Sequence, residues 1–441
     1  MMQLEIVSKE TIKPLFSTPP ELKLHHLCLF DRHAPYLYLH FLYFYQNSSH
    51  SKLLKHSLSK ALTFYYPFAG RLKDDCSIDC NDMGATILEA RLRCPMSEFM
   101  NVYNLRHDEA LKLVCFDDMN DGSKDQRYNP LLCVQLTRFE CGGEVLCVFL
   151  SHKLADASTF TNFMNHWASL SRTGDHDMPL LPPPRFDAGS LFEAATVDDV
   201  LGEGSKIVKR EKNLVSKRMV FKASKIAALK ATVCDKVENP SRVQILAAFI
   251  YKAAISASKS TLSIHHSRTP ITNYLLRIAI NLRTRLIPPM PATLSGNIIS
   301  FFLTSATTTA EQKEIELSSL LSDMKRNMKE FCNKYPRNYK AEEWSSLYKL
   351  HIKESMERMN NPEDQIVYAC SSWCRFPFYD ADFGWGKPVW ITTPTILSKN
   401  VIILMDAKDG EGIEAFVSLE EEEMAVFEQN EELLSYCELE S

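Results

Sequence analysis

Apolar residues recur at two different spacings along this chain, and the change from one to the other marks the elements. Leu54, Leu58, Ala61 and Leu62 stand three and four residues apart, which puts them on one face of a helix. CSIDC, NDMG and ATILEA follow at residues 76–90 and read as strand, turn and strand. The short apolar run in EVLCVFL, residues 144–150, suits a buried strand, and Phe160, Phe163, Met164, Trp167 and Leu170 form a helical stripe just after it. Further on, Ser241 and Gln244 make a capping-box pattern ahead of the apolar run 243–255. Residues 274–282 read as a buried strand, and Leu317, Leu320, Leu321, Met324, Met328 and Phe331 as a long helix. VIILM and IEAFVSL on either side of DAKDGEG predict a hairpin near the end of the chain.

The pattern breaks in the middle. PLLPPPRFD, residues 179–187, continues neither a helix nor a central strand, and the polar stretch 198–217 has little periodicity. The expected organisation is therefore α/β in two similar halves, 1–190 and 218–441, with a crossover at 191–217. A segment near 367–386 is expected to join the first half.

Composition narrows the function. The 441 residues are 45% hydrophobic and 24% charged, enough for one or two large cores. Fifty-five acidic and 50 basic residues leave a net charge of -5 with no basic face, so nucleic acid is not an expected partner. MMQLEIVSKETIKP lacks the apolar run of a signal peptide, and the densest apolar stretch, 35–45, is too short to span a bilayer. The expectation is a cytoplasmic protein without a membrane partner. There are 13 cysteines, and the close pairs Cys76/Cys80 and Cys370/Cys374 lack further ligands nearby, so no metal is expected and most thiols should be reduced.

Two stretches could carry chemistry. SHKLADA places His152 where a buried strand ends and Asp156 at or beside a helix start, where a carboxylate can accept a free backbone N–H. A histidine there suits general-base work, since one ring nitrogen can take a proton while a partner holds the other. His-x-x-x-Asp is a weak pattern, however, and a satisfied core or surface histidine fits it equally. In YDADFGWGKP two glycines flank Trp385, as in a tight loop pinned by an aromatic anchor. Asp382 there could hold the loop by a salt bridge or touch a substrate. No G-x-S-x-G, phosphate loop, G-x-G-x-x-G after a strand or H-E-x-x-H occurs, which removes the common hydrolase, NTPase, dehydrogenase and zinc-protease readings.

Taken together, SHKLADA, DFGWG and FYYPFAGRL, with SIDCND, SRVQILAAFIYK, AINLRTRL and SGNIISF, resemble the plant BAHD acyltransferases over essentially the whole chain. The layout is similar to the branch containing vinorine synthase and acylsugar acyltransferases. The resemblance implies two chloramphenicol-acetyltransferase-like domains of mixed sheet and helices with a channel between them. It implies His152 as general base, Asp156 paired with Arg283 to shape the site, and Asp382, Phe383, Gly384, Trp385 and Gly386 as a structural loop. One departure is Ala157, where many members have glycine. By the same resemblance no cofactor is held permanently. Acyl-CoA is a co-substrate that gives an acetyl or short acyl group to a small-molecule acceptor, and the protein is a monomer. The expected acceptor is a hydroxyl of a specialised metabolite, with an acylated sucrose favoured. The alternatives are an alkaloid or terpenoid hydroxyl, an amine, water as in a thioesterase, or ligand binding without turnover. Residues 31–38, DRHAPYLY, border the acceptor channel in relatives, though an aromatic cluster so early also suits core packing.

Overall fold

A computed structural model describes residues 4–47, 51–105, 128–173, 181–193, 211, 213–264, 273–307, 315–334, 341–360, 365–394 and 396–439. Two large mixed sheets organise it. The first has six strands in the order Leu4–Ile12, Ala85–Leu92, Leu132–Phe139, Glu144–Ser151, Tyr38–Tyr45 and Trp390–Thr392. Glu144–Ser151 is interior and buried at every residue, because both faces of the sheet are covered. On one face lie the helices Ser51–Phe64 and Ala157–Arg172, whose Leu54, Leu58, Phe160 and Trp167 pack with Phe41, Tyr43, Val134 and Val148. Trp167 Nε1 donates to Ser57 Oγ at 3.0 Å, joining the two helices inside the core. On the other face Leu42, Phe44, Cys133 and Cys147 meet Met96 and Phe99 of the helix Met96–Leu105.

The second sheet has seven strands: Ile299–Thr307, Asn273–Asn281, Gln365–Ser372, Val401–Asp406, Ile413–Glu420, Leu214–Phe221 and Glu438–Leu439. The expected hairpin is present, with Val401 paired to Ser418 and Asp406 to Ile413. The helix Arg242–Ile264 begins at a reciprocal cap in which Ser241 N–H donates to Gln244 Oε1 at 2.9 Å and Gln244 N–H to Ser241 Oγ at 3.1 Å. That helix and Leu317–Lys334 cover one face of the sheet, packing on Tyr274, Leu276, Tyr368 and Leu404. The opposite face behaves differently: Ile403, Met405 and Phe416 join the core of the first half beside Phe41, Phe160 and Phe378. This shared cluster is the seam between the two sheets.

Some elements form as expected but pair elsewhere. Ser77–Asp79 lies in a separate three-stranded sheet with Leu24–His26 and Arg71–Asp74, while Ala85–Leu92 joins the first large sheet. The turn between them sends the chain out of plane, with Asp82 at φ 56° and Gly84 at φ 90°; a Cβ on Gly84 would meet Ile12 O at 2.5 Å. After Gln365–Ser372 in the second sheet the chain crosses the seam, and Trp390 pairs with Phe44 in the first sheet before Val401–Asp406 returns to the second. Of the crossover expected at 191–217, residues 194–210 and 212 lie outside the described residues, as do 179 and 180. Among the described residues no helix is long and apolar enough to cross a membrane.

Candidate active site

His152 is the first residue past the strand Glu144–Ser151, and its backbone N–H donates to Leu37 O at 2.8 Å. Four residues on, Asp156 is the N-cap of the helix Ala157–Arg172, in extended conformation and accepting from Thr159 N–H at 2.9 Å. His152 and Asp156 therefore sit at the two ends of one short connection. Their side chains meet different partners, both supplied by the second half of the chain.

The imidazole faces Asn297. His152 Nδ1 lies 2.9 Å from Asn297 Oδ1. The Asn297 amide nitrogen donates to His152 O at 2.6 Å and to Asp31 Oδ1 at 2.9 Å, and Asn297 N–H donates to the same carboxylate oxygen at 2.7 Å. This arrangement assigns the proton without any hydrogen being visible. A carboxylate and a carbonyl can only accept, so the NH₂ group of Asn297 must point at them and its oxygen must face the ring. Nδ1 is then the donor, and Nε2 keeps its lone pair. Nε2 makes no hydrogen bond among the described residues and is not sealed from solvent. Burial pushes the ring's pKa below its ordinary value, opposed by its backbone contacts, the Asp156 charge and the Asn297 bond. Burial thus favours the neutral, proton-accepting form of the ring.

Asp156 turns away from that ring. Arg283 Nη1 donates to Asp156 Oδ2 at 2.6 Å and Nη2 to Oδ1 at 3.3 Å, with only 2% and 4% of the two side chains exposed. Arg283 also donates to Leu294 O, Gly296 O and Thr159 Oγ1 at 2.9–3.1 Å. Thr159 Oγ1 in turn donates to Gly296 O and accepts from Gly296 N–H. The ion pair thus fastens the segment carrying Gly296 and Asn297 against the start of the helix, and so holds Asn297 where the imidazole meets it. Beside it Lys153 is fully buried, donates to Arg32 O at 2.9 Å and stands 4.4 Å over the Tyr36 ring; burial lowers its pKa to about 8.

Asp382, Phe383, Gly384, Trp385 and Gly386 belong to the other end of the same helix. Asp382 Oδ1 accepts from Gly384 N–H at 2.8 Å and Gly386 N–H at 3.1 Å, and both glycines have φ near +107°. Phe383 is buried against Trp167 and stacks on Trp385 at 5.3 Å. Tyr45 Oη donates to Ala381 O at 2.8 Å and Asn47 Nδ2 to Trp385 O at 3.0 Å. Asp382 reaches Arg172, the last helical residue, at 3.8 Å. Sixteen helical residues separate the two ends by about 24 Å. Of the residues singled out in the sequence, His152, Asp156 and Arg283 gather in one place and the five loop residues in another. Asn297 and Asp31 complete the first group. Asn297 lies in SGNIISF and Asp31 in DRHAPYLY, but a side-chain amide gives no signal of its own in a single sequence.

The geometry leaves an imidazole with an unbonded Nε2 where two mixed sheets meet. The Transferase family model matches residues 2–434. The chain belongs to this family, the BAHD acyltransferases of plants, and is an acyltransferase. It is 34% identical over 447 residues to the 17,18-epoxy-17-hydroxycur-19-ene N-malonyltransferase of Strychnos nux-vomica, covering 99% of this chain and 91% of that protein. The crystal structure of vinorine synthase superposes with a TM-score of 0.81 at 30% identity, covering 99% of each chain. F. sporotrichioides TRI101 complexed with coenzyme A and T-2 has the same fold, with a TM-score of 0.68 at 16% identity over 95% of this chain and all of that one.

Proposed function

We propose that this protein transfers an acetyl or short acyl group from acyl-CoA to a hydroxyl of a plant specialised metabolite, with His152 as general base. The observation that carries the reading is the chain Asp31–Asn297–His152, which puts the proton on Nδ1 and leaves Nε2 open at the seam. Nε2 takes the acceptor's hydroxyl proton as the oxygen attacks the thioester carbonyl. The tetrahedral intermediate collapses, its C–S bond breaks, and the departing thiolate takes the proton back from the imidazolium as free coenzyme A. No acyl-enzyme forms. A hydroxyl needs this help because its proton is held far above neutral pH, whereas a neutral amine is already nucleophilic. Asp156 and Arg283 act through position, and the Asp382–Gly386 loop supports the fold.

Names of the relatives support acyl transfer, and the complex of TRI101 with coenzyme A supports the donor class. Purified protein given acetyl-CoA or isobutyryl-CoA with a plant surface extract should release free thiol and yield products heavier by one acyl group, both lost in His152→Ala. Thiol without any acylated product would mean a thioesterase. Neither signal from folded protein would leave a binding protein and sink the proposal.

A further inference from the structure

One strip of the first half, residues 31–37, runs beside the His152 loop and meets the site at four residues. Asp31 Oδ1 accepts from Asn297 N–H at 2.7 Å and from Asn297 Nδ2 at 2.9 Å. Arg32 O accepts from Lys153 Nζ at 2.9 Å, and the Tyr36 ring centre lies 4.4 Å from the same ammonium. Leu37 O accepts from His152 N–H at 2.8 Å. The outer two contacts fix the imidazole: Asp31 sets Asn297, whose Oδ1 faces Nδ1, and Leu37 sets the backbone of His152. Lys153 supplies both contacts between them.

Lys153 is costly to bury, and the strip is shaped to hold it. The residue is fully enclosed, and an ammonium taken out of water must recover hydrogen bonds and opposite charge. The Arg32 carbonyl gives it a charge-assisted bond, and the face of Tyr36 gives a second attraction. Tyr36 Oη donates to Asp75 Oδ1, which keeps the ring from turning away. Burial brings the Lys153 pKa down to about 8, against the opposing pull of Asp75, Asp31 and Cys76. The neighbouring His33, lowered mainly by its own burial, also feels Lys153, Arg32 and Lys349.

We propose that Lys153 is a positioning residue for acyl transfer: by tying Arg32 O and the Tyr36 ring to the His152 loop, it holds Asp31 and Leu37 where they fix the tautomer and the place of the imidazole. The proposal rests on His152 as the base and names what keeps that base in register. A displacement of about 1 Å at a reacting group costs about a hundredfold in rate, and Lys153 acts at one remove, so its loss costs about tenfold. A neutral amine is a weaker donor than an ammonium and is not drawn to a ring face, so deprotonation loosens the same two contacts.

The test is Lys153→Met, with acetyl-CoA varied against a fixed plant surface extract. The ring nitrogens of His152 are followed by nitrogen NMR and assigned by their loss in His152→Ala. The variant should lower kcat about tenfold with KM for acetyl-CoA little changed, and its His152 ring should pass from a single Nδ1–H form to a mixture of tautomers. Wild-type kcat should also fall as pH rises through about 8, and that limb should be absent from Lys153→Met. Should Lys153→Met not fold, Tyr36→Leu keeps the lysine but removes its ring, and the limb should then move about half a pH unit lower. If wild type transfers no acyl group while Lys153→Met still mixes the tautomers, the catalytic reading fails and the positioning stands. A single Nδ1–H form in folded Lys153→Met, a limb that persists there, or a wild-type limb in Tyr36→Leu would overturn the positioning.

Discussion

The helix Ala157–Arg172 has an aspartate at each end, and the two are used in opposite ways. At the start Asp156 is sealed with Arg283 in a bidentate pair. At the finish Asp382 is 27% exposed, and its arginine, 38% exposed, stands at 3.8 Å. Taking two charges out of water is costly, and their attraction offsets that cost only while both remain. An exposed pair adds about 0–1 kcal/mol, so the work of Asp382 is the folding of two glycine amides around its oxygen. One end sets the position of Asn297 beside the His152 imidazole through charge; the other closes a loop through hydrogen bonds and aromatic packing.

The contrast can be broken most severely at the start of the helix. His152→Ala should lower kcat/KM by about 10² to 10⁴ while leaving the melting temperature near that of wild type, as read by thiol-release kinetics and calorimetry. Asp156→Asn leaves Arg283 buried without its countercharge and should cost about 3–5 kcal/mol of stability in urea unfolding, with activity falling alongside. If Asp156→Asn instead lost activity with no change in stability, the aspartate would be acting on substrate. Asn297→Ala releases the Nδ1 proton and should reduce kcat about 10- to 100-fold with KM steady. Its pH–rate profile should also shift, which a loss of packing alone would not produce.

The acid limb of the wild-type profile sharpens the same point. A histidine whose pKa is lowered by burial stays neutral as pH falls past the ordinary value near 6.5, so activity should persist below that pH and decline only at the lower pKa. A limb centred at or above the ordinary value would contradict the burial. The smallest effect belongs to the other end of the helix. Asp382→Ala should cost about 1–2 kcal/mol through two lost hydrogen bonds, with kcat nearly unchanged and the loss detectable by thermal unfolding.

Spacing alone was enough for whatever depends on near neighbours. The stripe from Phe160 to Leu170, the cap at Asp156, the reciprocal cap of Ser241 with Gln244 and the hairpin around DAKDGEG all involve residues within one element or one turn. An apolar period says which face is buried and does not say what buries it. For that reason Ser77–Asp79 and Ala85–Leu92 were legible as strands but not as members of two sheets. Trp390–Thr392, added to the first sheet from beyond the second, carried no local mark of its destination.

The candidate site divides along the same line. That His152 follows a buried strand and Asp156 begins a helix is written in consecutive residues, and the pairing with Arg283 was reachable only through the family resemblance. The partner of the imidazole lies 145 residues away, and Arg283 lies 127 residues from Asp156. Those contacts exist because the seam brings two backbones together, and a hydrogen bond's direction depends on where both ends are held. Chain order could nominate the histidine, but folding across the seam chose which of its nitrogens is free.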